Sequence, residues 1–211
     1  MENNLIDKLG ITNLDSGLIS LASTYGLGKS TLLAVIAAEF YHDGKNVLFL
    51  TDDVKEETII KKVRKALQGK KPNLNLVTLT AKRYVNLTKD IWKQLDAKDY
   101  EVIIVDGVIE DFDFLRRLSF GTKAVILTTH QQQRNITDNI LEIKPSQVLM
   151  KSDMVLTLSV KEGFTFWEDV KYFFCFWLKK PNRSLKILKN RYGKDGVSVN
   201  LHVDFEKVKI N

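Results

Sequence analysis

Ser23-Thr24-Tyr25-Gly26-Leu27-Gly28-Lys29-Ser30-Thr31 is the stretch on which the fold turns. An apolar run, Leu18-Ile19-Ser20-Leu21-Ala22, precedes it, and a helical pattern of Leu32, Leu33, Val35, Ile36 and Phe40 follows it. Strand, glycine-bearing turn and helix, in that order, are the setting in which backbone N–H groups cradle phosphate. Gly26 and Gly28 let those groups approach closely, and the helix N-terminus adds the positive end of its dipole. Lys29 is placed to reach the β- and γ-phosphates and Ser30 to ligate Mg²⁺. The pattern departs from G-x-x-x-x-G-K-[ST] at its first position, which Ser23 occupies. The competing reading is an ordinary Gly-Lys-Ser turn that caps a helix. The strand before and the helix after favour a phosphate loop, with residues 23–31 as its nucleotide-binding lining.

Outward from this loop, the chain reads as one α/β unit. Strands are expected at 18–22, 46–51, 74–80, 101–106 and 123–129, and helices near 29–42, 55–68, 86–97 and 111–118. Continuous Val/Ile/Leu runs are what parallel strands buried on both faces require, and alternating β and α elements imply a helix-covered sheet. After residue 150 the rhythm changes. Met154–Val160, Tyr172–Leu178, Leu185–Leu188 and Val197–Val203 read as successive strands, expected as hairpins on the far edge of the same sheet. Residues 2–9 can form a short amphipathic helix with Leu5, Ile6 and Leu9 on one face. The expected division is therefore an N-terminal helix and linker over 1–16 and the α/β domain over 17–211.

Composition agrees with a globular chain. Of 211 residues, 44% are hydrophobic and 27% charged, enough for a substantial core. A net charge of +6 is compatible with a polyanionic partner and equally with a lysine-rich surface. A lone cysteine, Cys175, excludes an intrachain disulfide and a cysteine metal cluster, which fits a reducing compartment. No apolar run reaches the roughly 18–20 residues that cross a bilayer, so no membrane partner is expected.

A phosphate loop needs a second carboxylate to order the metal shell. Glu101-Val102-Ile103-Ile104-Val105-Asp106 is a hydrophobic strand ending in one, which makes Asp106 the metal candidate beside Ser30. Hydrolysis also needs a group that orients water. Asp52 and Asp53 end the second strand, where ligands of open α/β sheets bind, although either can instead cap the helix that begins near Val54. His130 ends the fifth strand in Thr128-Thr129-His130-Gln131, as a phosphate-reading group or a solvated histidine. Lys189 and Arg191 alternate on a late strand, where a basic solvated edge is the plain interpretation. The polar loop 131–139 is either a nucleic-acid contact or bare surface.

Together these elements resemble the RecA-type motor domain of ring-shaped replicative helicases, the DnaB-like group and the C-terminal half of phage primase-helicases. The resemblance covers roughly residues 11–205 and tolerates Ser23. It implies a RecA-like P-loop NTPase with a mostly parallel central sheet flanked by helices and a C-terminal β-hairpin edge. It implies ATP and Mg²⁺ as cofactors, with Lys29 binding triphosphate and Asp53 as the catalytic carboxylate, Asp52 being its rival. Asp53 is one methylene shorter than the Glu of that family. His130 matches its γ-phosphate sensor. Ser152-Asp153 resembles its Ser-Asp motif, and Lys189-Asn190-Arg191 resembles a Lys-x-Arg element that reaches a neighbouring subunit's γ-phosphate. Arg134 and Lys144 fall where that family's DNA-binding loops lie. Single-stranded DNA, a homohexamer, replisome or loader proteins, and the cytoplasm of a bacterial or phage-infected cell follow as expectations.

Overall fold

The computed structural model describes residues 4–23, 26–52, 54–67, 79–83, 100–107, 111–131, 150–160, 183–204 and 209–210. Expectations for a helix at 86–97 and a strand at Tyr172–Leu178 lie outside these residues.

Helix α1 is Leu5–Lys8, followed by β1 at Gly17–Ser23 and α2 at Lys29–His42. Next come β2 at Val47–Thr51, α3 at Glu56–Ala66, β3 at Leu79–Arg83 and β4 at Val102–Asp106. Helix α4 spans Phe112–Thr122 and β5 spans Val125–Gln131. Strands β6 at Met154–Val160, β7 at Arg183–Asn190 and β8 at Ser198–Leu201 follow, and a small β-ladder joins β9 at Val203–Asp204 to β10 at Lys209–Ile210. The main sheet is ordered β3-β2-β4-β5-β1-β6-β7-β8 among the described residues. From β3 to β6 every pairing is parallel, and β7 and β8 are added antiparallel at the edge. The RecA-like architecture with a hairpin edge is thus the observed one.

Period-two alternation explains the continuous apolar runs, because both sheet faces are covered. Ile19, Leu21, Phe49, Ile104 and Leu127 face α1, α2 and α3, whereas Leu18, Leu48, Leu50, Ile103 and Ile126 face α4. Helix α2 is apolar nearly all round because it is covered nearly all round, with Leu32 through Ala38 all buried. Its outer side receives α1, whose Leu5 and Ile6, together with Leu9 just beyond it, join the main core. Glu39 of α2 ties the two together: its carboxylate accepts the Leu5 N–H at 3.1 Å and the Ile6 N–H at 2.9 Å. These are donors that a helix start leaves without intrahelical partners.

Several boundaries differ from expectation, among them the fifth strand, which lies at Val125–Gln131 rather than 123–129, and the run 197–203, which divides between β8 and β9. The third strand runs to Arg83, three residues past 80. Strand β7 ends at Asn190, so Arg191 lies in the turn beyond it rather than on the strand. A register shift opposite Val155 and Leu156 also breaks the simple alternation: Val155 pairs with Lys189 but Leu156 with Ile187. The bulge puts Lys189 on the opposite face from Ile187.

Candidate nucleotide site

The C-terminal ends of the parallel strands bring the predicted residues together. Strand β1 ends at buried Ser23 and α2 begins at Lys29. Between them Gly26 and Gly28 have φ of +78° and +95°. A side chain is strained at such angles, so glycine is what lets the chain turn this tightly. Gly28 is the N-cap of α2, and its carbonyl accepts the Leu32 N–H at 2.9 Å. Thr24, Tyr25 and Asp53 lie outside the described residues, as do Arg134 and Lys144.

Across the sheet, Asp106 ends β4 and is 8% exposed. The Ser30 hydroxyl hydrogen-bonds its carboxylate, and the Thr129 hydroxyl does so at 3.4 Å. Burial raises the Asp106 pKa above the usual carboxylate range, opposed by these two hydroxyls and by the charge of Lys29. Burial lowers the Lys29 pKa in turn, opposed by Asp106. Ser30, Lys29 and Asp106 therefore form one interacting cluster at the start of α2. Its hydroxyl and carboxylate are hard oxygen donors suited to Mg²⁺, which keeps several waters and takes few protein ligands. Among the described residues no group of three or more His, Cys, Asp or Glu is placed to hold a metal ion.

Asp52 leans into the same site. Its backbone N–H donates to the Asp106 carbonyl at 3.3 Å. A Cβ placed on Gly107, whose φ is +152°, would collide with the Asp52 carboxyl. Glycine at 107 is what admits that carboxylate beside Asp106, and its charge helps raise the Asp106 pKa. The N-cap of α3 is Lys55, not Asp52, and ahead of it the Thr51 hydroxyl accepts the Val54 N–H at 3.2 Å. His130 is half-buried, with its ring centre 6.4 Å from that of Phe112 in an edge-on arrangement. Burial, and then the Lys29 charge, lower its pKa.

Lys189 and Arg191 are not part of this cluster. The Arg191 guanidinium donates to Asp153 at 2.9 Å, and Lys189 Nζ donates to the Ser152 carbonyl at 2.6 Å. Asp153 also accepts the Leu18 N–H at 3.0 Å, at the opening of β1. Leu18 and Ser23 are five residues apart on β1, so the pair sits roughly 17 Å of strand rise from the loop. The Lys-x-Arg element thus marks the opposite end of the sheet from its own phosphate loop.

Sequence reasoning missed two residues at the site. Thr129 accepts the Gly107 N–H at 3.0 Å while bonding Asp106. Arg183 donates from Nε to the Leu27 carbonyl at 3.3 Å. The only signal for Arg183 was a charge at an inward position of an alternating strand, ahead of Leu185 and Ile187.

A RecA-like fold is what this sheet order defines. No protein-family model matches the chain. The DNA repair protein RadA of Campylobacter jejuni is 28% identical over 199 residues, covering 91% of this chain and 41% of that protein. The chain therefore spans about two-fifths of the length of this curated relative. Among solved structures, a DnaB-like replicative helicase superposes with a TM-score of 0.69 at 11% identity, over 99% of this chain and 61% of that one. A separately solved ATPase domain gives 0.70 at 11% identity, over 99% and 89%. The RadB recombinase gives 0.65 at 10% identity, over 99% and 96%. At these identities the structures establish the fold, and that fold is the one expected from the resemblance to DnaB-like motor domains. Among the described residues no helix is long and apolar enough to cross a membrane.

Proposed function

We propose that the chain is a Mg²⁺-dependent ATPase motor that hydrolyses ATP between adjacent copies of itself and moves on single-stranded DNA. One observation supports this most. The Lys29–Ser30–Asp106 cluster and the Lys189–Arg191 pair lie at opposite ends of one sheet, so a site needing both requires a second copy. Such an arrangement suits a ring, for which a homohexamer is the proposed form, with loader or replisome proteins as further partners.

In this reading Lys29 and the loop N–H groups hold the triphosphate. Ser30 and Asp106 would hold Mg²⁺, which neutralises charge on the phosphate oxygens. Asp53 orients the attacking water, and His130 reads the γ-phosphate end from β5. Arg191, with Lys189 beside it, meets the neighbour's phosphate as an arginine finger. To do so it must leave Asp153, and its side chain is 43% exposed, so it is accessible to a partner. Arg134 and Lys144 are the proposed DNA-phosphate contacts.

The RadA relative and the RadB neighbour favour a second reading, a recombinase- or loader-type ATPase that forms filaments on DNA. One experiment tests both. ATP turnover is titrated with single-stranded DNA while electron microscopy records the assembly. DNA-stimulated turnover in closed rings is the expected result, and stimulated turnover in open helices selects the filament. Tight nucleotide binding without turnover, with or without DNA, leaves a nucleotide-binding assembly or regulatory subunit and overturns the motor.

A further inference from the structure

Arg183 is a buried charge that the proposed reaction does not use. It opens β7 at 5% exposure, on the inward side of the strand with Leu185 and Ile187. A guanidinium stays charged under all ordinary conditions, and withdrawing it from water is costly unless hydrogen bonds and charge partners compensate it. Its Nε–H donates to the Leu27 carbonyl, between the two loop glycines. The next carbonyl, of Gly28, is taken by the Leu32 N–H. Protein donors therefore hold the Leu27 and Gly28 oxygens.

Peptide geometry carries the consequence. No described peptide bond is cis. Across a planar trans peptide, the C=O of one residue and the N–H of the next point in opposite directions. Holding the Leu27 oxygen toward Arg183 turns the Gly28 N–H away from it.

We propose that Arg183 is a positioning residue of the phosphate loop: it fixes the Leu27–Gly28 peptide so that the Gly28 N–H is presented to a phosphate oxygen. The proposal rests on the nucleotide-binding reading of that loop. Arg183 itself touches no phosphate. Its charge behind the loop favours the anion in a poorly solvated setting. Strand β7 then bears on two sites, with Arg183 at its own loop and Lys189 at the end that faces a neighbour.

Two neutral substitutions isolate the hydrogen bond. R183Q keeps an amide donor the same number of bonds from the backbone as Nε, and R183M keeps a stem of similar length without a donor. Binding of Mg-ADP is measured by fluorescent-nucleotide titration, with folding checked by circular dichroism. R183M is expected to bind about tenfold or more weaker than R183Q. Turnover at saturating ATP should fall much less than affinity. Equal binding by R183M and R183Q, or by R183M and wild type, overturns the assignment. Wild type without affinity for Mg-ADP overturns this assignment and the nucleotide reading together. Amide exchange gives a check independent of whether R183M folds. Mg-ADP should slow exchange at Gly28 in the wild type, and binding without that protection overturns the proposal.

Discussion

At the scale of single residues, Asp106 is pulled in two directions. Burial favours its neutral form, while Ser30, Thr129 and Lys29 favour the carboxylate that a metal needs. Thr129 also accepts the Gly107 N–H, so it fixes the backbone that Asp52 approaches. Thr129→Val should weaken apparent Mg²⁺ affinity about tenfold or more, as loss of a partner that orients a metal ligand usually does. A Mg²⁺ titration of nucleotide binding checks this, and metal-free nucleotide binding should stay unchanged. The two acids at the end of β2 separate by kinetics. Asp53→Asn should cut turnover far more than nucleotide affinity, because a water-orienting carboxylate acts mainly in the transition state. Asp52→Asn is the control, and loss of turnover there instead assigns the role to the carboxylate that rests against Gly107. His130 gives a pH signature. Its folded pKa lies below the ordinary value of about 6.5. Between those two values the unfolded chain holds more protons, so stability falls as pH drops through that window. Thermal unfolding of nucleotide-free protein should show this loss below about pH 6.5, and His130→Gln should flatten it.

At the scale of elements, α1 depends on one side chain of another helix. Glu39 supplies both acceptors at its start, although burial raises the Glu39 pKa and so penalises the charge it carries. Glu39→Ala should lower stability by about 1–2 kcal/mol, the scale of a lost helix cap, and should open residues 5–14 to proteolysis. A denaturant titration and limited digestion measure the two effects. Elements whose local signals agreed were legible in the sequence. Helix α2 begins and ends where its glycine turn and apolar pattern place it. Helix α4 runs four residues past the expected 118 because Ser119–Thr122 add no apolar period, Phe120 being exposed against Arg116. It stops at Lys123, in a left-handed conformation that its residue type does not announce. Lys29, Ser30 and Asp106 were legible because each ends or begins an element with a local pattern. Thr129 and Arg183 were not, because their partners lie 23 and 156 residues away in the chain, beyond any local pattern.

For the whole molecule, the parallel sheet imposes a polarity. All strands from β3 to β6 end on the side of the phosphate loop, and β7 returns to the other side carrying Lys189. Within one copy, Arg191 is held by Asp153 beside Leu18 and cannot reach its own loop along the strand. A finger role for Arg191 therefore predicts that activity belongs to pairs of copies. Arg191→Ala should bind ATP almost normally and lose on the order of 10³–10⁵ in turnover, the worth of an arginine finger. Lys29→Ala should fail to bind ATP tightly while keeping the fold, because Lys29 meets phosphate charge rather than filling a core. Each variant alone should be nearly inactive. Mixed before assembly, they can form interfaces that join an intact loop from the Arg191→Ala copy to an intact Arg191 from the Lys29→Ala copy. Turnover should then recover in part, rising and falling with the mixing ratio and greatest near equal amounts. Assemblies shown by mass measurement to contain both variants, yet without any recovered turnover, would remove the finger from Arg191. The pair with Asp153 would then be a clamp that fastens the C-terminal hairpin to the start of β1.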